Sequence, residues 1–375
     1  MKRKRIALAV QGGGSHGAFT WGVLDRLLDE VAADRLEIAA VSGASAGAFN
    51  ATLTAYGLGS EKGRAQKDLA KNTQQLLESF WLSDAALAPV SPYSLTALAW
   101  RFATGSWNID SSPIALAIDT AGQWASPSDL PAGPDWLALV LGDKVDFERL
   151  QRQKGPALFI SATNITQGRR DVFARDKVTL DVLRASACIP TVFRPIQIGD
   201  SHYWDGGFMG NPALSPLIGH ADDMLVIQLN PFHDPQTPTG ARAIADRLNE
   251  ITFNTSLVLE LNAIQAMNKA IEAAKQESLG RYRPVRLHRI TDEPFLAQLG
   301  VVSKLVIVEP FLRDLHDQGW QVADQWLQNE GAEIGRSSTL GDEVLDRIIG
   351  RDNVLGDSSP ARPAPAPAAL EAEAV

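Results

Sequence analysis

Leu36-Glu37-Ile38-Ala39-Ala40-Val41-Ser42-Gly43-Ala44-Ser45-Ala46-Gly47 is the stretch on which the fold turns. The run 36–42 reads as a buried strand and 46–56 as a helix. Between them, Gly43 and Gly47 bracket Ser45 in a G-x-S-x-G pentapeptide. Set between a strand and a helix, that pentapeptide forms a nucleophile elbow. The glycines permit a cramped backbone, the serine hydroxyl projects outward, and the amides that open the helix face any charge developing beside it. Ser45 is therefore a candidate nucleophile. The letters alone are weak evidence; the strand–turn–helix setting carries the weight.

Working outward, 5–11 reads as a first strand, and 17–33 as a helix with Phe19, Val23, Leu27 and Val31 on one face. Segment 61–80 is a polar amphipathic helix carrying Leu69, Leu76, Leu77 and Phe80. The texture then changes. Segment 81–142 is rich in Pro, Ser, Ala and Leu, and holds Trp81, Trp100, Trp107, Trp124 and Trp136. Alternation resumes with a strand at 157–163, a turn at 164–168, a short helix at 179–187 and a hairpin made of 194–198 and 201–204. A strand at 224–229 is stopped by Asn230-Pro231. A long helix over 241–275, a strand at 285–290 and an amphipathic helix at 309–330 follow.

Strands alternating with helices predict an α/β fold, a mostly parallel central sheet flanked by helices on both faces. The expected divisions are a catalytic domain over 5–218 with a helical cap-like insertion at 81–142, and a mainly helical C-terminal extension over 219–351 packed on the same sheet. The Pro/Ala-rich 352–375 reads as a disordered tail.

With 375 residues, 45% hydrophobic and 21% charged, the chain can bury a substantial core. A net charge of −9 argues against nucleic acid as the main partner. The single Cys188 excludes an intramolecular disulfide framework, fits a reducing compartment and reads as a core thiol. Basic residues at 2–5 precede an apolar run that meets Gln11 and three glycines, too soon for a secretory h-region. No run approaches the roughly 18 apolar residues of a spanning helix. The expectation is a cytoplasmic protein. Its basic start is either solvated or a peripheral contact with an anionic membrane surface.

Gln11-Gly12-Gly13-Gly14-Ser15-His16-Gly17 also joins a strand to a helix. As a dinucleotide fingerprint it would require an acidic residue ending the second strand. That strand instead runs into the serine elbow. As an oxyanion hole, successive glycine amides would point at a carbonyl oxygen attacked by Ser45. A tight strand–helix junction accounts for one or two of the glycines, less well for three in a row.

A serine needs a base. His16 lies inside the loop, His202 on the hairpin, and His220, His233, His288 and His316 in contexts without a supporting pattern. Asp205 stands out more, because Trp204-Asp205-Gly206-Gly207 places a carboxylate on a glycine-flanked turn after a strand. By itself it also reads as a turn aspartate bonding its own backbone.

Taken in order, Gly12-Gly13-Gly14-Ser15-His16-Gly17, Gly43-Ala44-Ser45-Ala46-Gly47 and Asp205-Gly206-Gly207 resemble the patatin-like phospholipase family, over roughly residues 6–217. The stretches 185–190 and 204–212 also resemble bacterial members. The resemblance implies a Ser–Asp dyad, with Ser45 attacking an ester carbonyl and Asp205 taking and returning the proton. It implies an oxyanion hole from Gly12, Gly13, Gly14 and Ala46, with Gly17, Gly43, Gly47, Gly206 and Gly207 as motif glycines, and no metal or cofactor.

His16 stands where the family usually carries Arg or Lys, which makes it a candidate modulator of head-group preference. Asp-Gly-Gly replaces the commoner Asp-Gly-Ala. The expected partner is a lipid or other ester. A soluble ester, a thioester, a storage polyester and a non-catalytic lipid-binding role are the alternatives. The Trp-rich segment either lines an acyl pocket or packs as a helical subdomain.

Overall fold

The computed structural model describes residues 3–59, 65–83, 87, 92–122, 127, 136–141, 144–234, 237–273 and 283–350. The tail expected at 352–375, Trp124, the side chain of Trp136 and other parts of 81–142 lie outside the described residues.

Strand β1 (Lys4–Val10) leads into helix α1 (Gly17–Ala32), and β2 (Leu36–Gly43) into α2 (Ala46–Gly57) and α3 (Gln66–Trp81). Further along come β3 (Ala157–Asn164), β4 (Arg169–Ala174), β5 (Ile196–Ile198), β6 (Ser201–Trp204), β7 (Asp223–Ile227) and β8 (Arg286–Ile290). All eight strands form one sheet, with β1, β2, β3, β7 and β8 mutually parallel. It is the mixed, mostly parallel, helix-flanked sheet expected.

β1 lies at its centre, paired with β2 on one side and β7 on the other. Successive residues of a strand face opposite ways, and β1 uses both faces. Ile6, Leu8 and Val10 join Phe19, Leu24 and Leu27 of α1 in the larger core. Ala7 and Ala9 face the other way, into a second cluster with Leu257, Leu261 and Ile264. These last three belong to the long helix Ala241–Ala273. Burying each large apolar side chain contributes about 2 kcal/mol, so β1 is anchored from both sides.

The arrangement around β3 sets the site. Ile160 of β3 pairs with Gly43 of β2 and with Phe173 of β4, so β2 and β4 lie on opposite edges. Thr163 pairs with Arg170 of β4 and with Trp204 of β6. β6 therefore occupies the same edge as β2, beyond the point where β2 stops. Because β6 runs antiparallel to β3 and β2 runs parallel to it, their carboxyl ends approach each other head-on. Gly206, just after β6, abuts the Ser161 carbonyl and the side chain of Ala44.

The expected hairpin is present as β5 and β6. Strand β4, which opens on the charged run Arg169-Arg170-Asp171, was not among the expected elements. It forms as a partly exposed strand whose one partner in the sheet is β3, where charged side chains remain hydrated. Cys188 is buried, as expected, with its thiol pushed up to about 12 by that burial.

Candidate active site

Ser45 occupies φ 53° and ψ −127°, a backbone conformation that L-residues rarely adopt. Two features hold it there. Its amide donates to both the carbonyl (3.1 Å) and the hydroxyl (2.9 Å) of Ser186, and the Ser186 hydroxyl donates in turn to the Ser161 carbonyl (2.8 Å). Close backbone packing does the rest. A side chain at Gly47 would strike the carbonyls of Val10 and Gln11, and one at Gly12 would meet Ser45 Cβ at 2.7 Å. The glycine loop and the elbow thus lie flush against each other at the ends of adjacent parallel strands.

Among the described residues, the amides of Gly13, Gly14 and Ala46 have no acceptor. Gly12 departs from expectation, because its amide donates to Asn211 Oδ1 at 2.7 Å. It positions the loop and is not a free donor. The loop is further tied down by Gln11, whose Oε1 accepts from the amides of Leu229 and Asn230, each at 2.8 Å. Asn230 Nδ2 donates to the Gly12 carbonyl at 3.1 Å. Gln11, Asn211 and Asn230 were not singled out in the sequence, although Gln11 and Asn230 follow buried strands, where an isolated polar residue signals a bonding role.

Asp205 is buried on the turn after β6, 1% exposed. Its amide donates to the Cys188 carbonyl at 2.8 Å, and Thr163 Oγ1 donates to its carbonyl at 2.8 Å. The Gly207 amide donates to Oδ1 at 2.7 Å, while Oδ2 is buried without a donor. Burial pushes the carboxyl up to about 6; the Ser45 hydroxyl, the Gly207 amide and Lys304 all favour its charged form and act the other way. Ser45 lies alongside the carboxylate without completing an aligned hydrogen bond to Oδ2. A carboxylate of this kind is ionised near neutral pH yet basic enough to accept a proton.

His16 does not act as a charged group. It is buried, with Nε2 at 2.7 Å from Ser303 Oγ. The Ser303 hydroxyl donates to the Gly300 carbonyl, so it accepts from the imidazole. Burial, reinforced by the nearby Lys304 ammonium, holds His16 well below its usual range, and the ring is neutral. The expected modulator is thus a packing residue, edge-on to Phe311.

A cavity of about 300 Å³ opens onto Ser45 and Ala46. Its walls are apolar, with Phe49, Phe80, Trp81, Val140, Val192 and Phe193 prominent, and Lys304 is the one charged residue along it among the described residues. Two tryptophans of the Trp-rich segment take different places. Trp81 lines the cavity and donates to Asn50 Oδ1 at 3.1 Å, whereas Trp107 packs on Phe311.

The family model described as patatin-like phospholipase matches residues 8–218. No curated protein matches the chain. Among solved structures, VipD from Legionella pneumophila is 18% identical, with 87% of this chain and 67% of that chain covered and a TM-score of 0.34. The type III effector ExoU is 17% identical, with coverage of 94% and 79% and a TM-score of 0.24. With the family model spanning more than half of its length, this chain belongs to the patatin-like phospholipase family.

Proposed function

We propose that this protein is a lipid acyl hydrolase that cleaves carboxylic esters through Ser45 and Asp205. Family membership implies hydrolase activity on lipid esters. The observation that carries the residue assignment is a serine in a strained elbow, facing an apolar cavity and set beside a buried carboxylate.

In the first step Ser45 Oγ bonds to the carbonyl carbon while its proton passes to Asp205. The carbonyl π electrons move onto oxygen, where the Gly13, Gly14 and Ala46 amides receive them. Collapse breaks the bond to the leaving alcohol, which takes the proton from Asp205 and leaves an acyl group on Ser45. Water then attacks the acyl carbon and gives its proton to Asp205. The second collapse releases the fatty acid and restores the serine proton. The cavity is at the small end of the range for ligand pockets, which suits one acyl chain with the head group left outside.

The lipid is met at a surface. Leu95, Leu98 and Phe102 project from one side of the helix Pro92–Thr104, and Phe102 is 96% exposed. Leu139, on the helix Trp136–Leu141, is 65% exposed. Tyr93 and Val140 of the same two helices line the cavity. An apolar rim continuous with an apolar cavity lets an acyl chain leave a bilayer without crossing water. Among the described residues, no helix is long and apolar enough to cross a membrane.

Ser45→Ala tests the assignment, with near-UV circular dichroism to verify the fold. The variant should lose both fluorophosphonate labelling and hydrolysis of dispersed phospholipid. Labelling at another residue, or sustained turnover without the Ser45 hydroxyl, would overturn it.

A further inference from the structure

The C-terminal region delivers a charge to this site. The turn Val302–Leu305 lies against the glycine loop, and the Lys304 carbonyl fills the space that a side chain on Gly14 would need. Asp110 fixes that turn by accepting from the amides of Val301 (3.2 Å) and Val302 (2.9 Å). The Lys304 side chain is half-buried on the cavity wall. Its Nζ donates to Asn230 Oδ1 at 2.7 Å and lies 5.9 Å from the centre of the Phe253 ring.

Neither of those partners is charged, and no described carboxylate stands at ion-pair distance. An ammonium drawn partly out of water onto a neutral amide is costly. Its two neighbours lead to the two arms of the site. Asn230 donates to the carbonyl of Gly12, at the base of the glycine loop. Phe253 covers Gly207, whose amide holds Asp205 Oδ1.

We propose that Lys304 is a positioning residue for hydrolysis: its ammonium, held behind the glycine loop by Asn230, keeps Asp205 ionised and favours negative charge on the substrate carbonyl oxygen. The proposal rests on the reading of Ser45 and Asp205 as the reacting pair. Since His16 is neutral, the positive charge beside the loop comes from Lys304, outside the segment matched by the family model.

Charge on Lys304 is pH-dependent. Burial lowers it to about 8, while the carboxylates facing it act in the opposite sense: Glu250 and Asp246 on the long helix, Asp110 ahead of the turn, and Asp205. The other titratable neighbour, His16, is neutral throughout this range. Activity should therefore rise as Asp205 ionises near 6 and fall as Lys304 deprotonates near 8.

The test is the rate of fluorophosphonate labelling of Ser45, and of hydrolysis of a soluble p-nitrophenyl ester, from about pH 5 to about pH 10. Wild type should give a bell with those two limbs. Lys304→Met should lose roughly 10- to 100-fold at neutral pH, as for a lost electrostatic donor. Its acid limb should move up by roughly half a unit or more, and its alkaline limb should vanish. Lys304→Arg, which stays charged, should keep most of the rate and extend it past about pH 9.

An acid limb unmoved in Lys304→Met would overturn the proposal. So would a wild-type profile flat through about pH 9, a result that needs no variant to fold. Absence of labelling at Ser45 in the wild type would instead overturn the hydrolytic reading itself.

Discussion

Asp205→Asn should make the protein more stable and catalytically inert. A carboxyl held at about 6 in the folded chain, against an ordinary value of 3.8, is shifted by about 2 units, or roughly 3 kcal/mol. The folded-state value is raised, so the stabilisation belongs to the protonated form. It is fully present below about pH 4 and is lost as pH rises through about 6. Above that range the wild type holds a buried anion that asparagine removes.

Asparagine keeps the acceptor for the Gly207 amide, which is supplied by Oδ1. It also places an NH₂ group where Oδ2 now has no donor, and the Ser45 hydroxyl is the acceptor beside it. An imperfect bond there offsets part of the gain, by about 1–2 kcal/mol. The expected net increase is about 1–2 kcal/mol at about pH 8, turning negative at about pH 4. Urea unfolding of both proteins at the two pH values measures it, with turnover falling by more than about 1,000-fold. Equal stability at both pH values, or a variant weakened most at high pH, would refute the account of Asp205 as a strained base.

Ser45→Gly removes a side chain from a backbone conformation that only glycine adopts freely, so it should stabilise the fold by about 1–2 kcal/mol while abolishing labelling; Ser45→Ala keeps the strain and should not. Denaturation midpoints of the two variants separate strain from the loss of the hydroxyl. Replacing Leu98 and Phe102 together by serine should weaken sedimentation with anionic phospholipid vesicles by about 10-fold, yet leave hydrolysis of a soluble short-chain ester unchanged. Loss of both activities together would show that these residues support the fold of the cavity and not a lipid contact.

What was legible in the sequence was what neighbouring residues state together. The elbow, the glycine loop and Asp205 each carry their glycines within a few residues of the polar group, and all three meet at the ends of β1, β2 and β6. The supports were not legible, because each is a single polar residue from a distant part of the chain. Asn211 engages the Gly12 amide, which changes which loop amides are open, and nothing local to Gly12 announces it. Lys304 lies on a short turn in a region read as generic extension, with no spacing that links it to the glycine loop. β4 escaped notice for a different reason: an edge strand with one partner does not need the continuous apolar run of a buried strand.

On the proposed pairing of Ser45 with Asp205, the sheet also accounts for an aspartate standing where a histidine is usual. A histidine base needs room for a ring between the serine and a third, orienting residue. Here β2 and β6 share one edge of β3 and meet end to end, so the turn after β6 sets a short side chain directly beside the elbow. The six histidines have other positions. His16 is bonded to Ser303, His288 to Asp223 and His316 to Asp25, while His202 and His233 are exposed and His220 packs on Phe159. With no imidazole to share the proton, the basicity of the carboxylate has to come from its surroundings. Burial raises it, and the Ser45 hydroxyl, the Gly207 amide and Lys304 act in the opposite sense, leaving it at about 6.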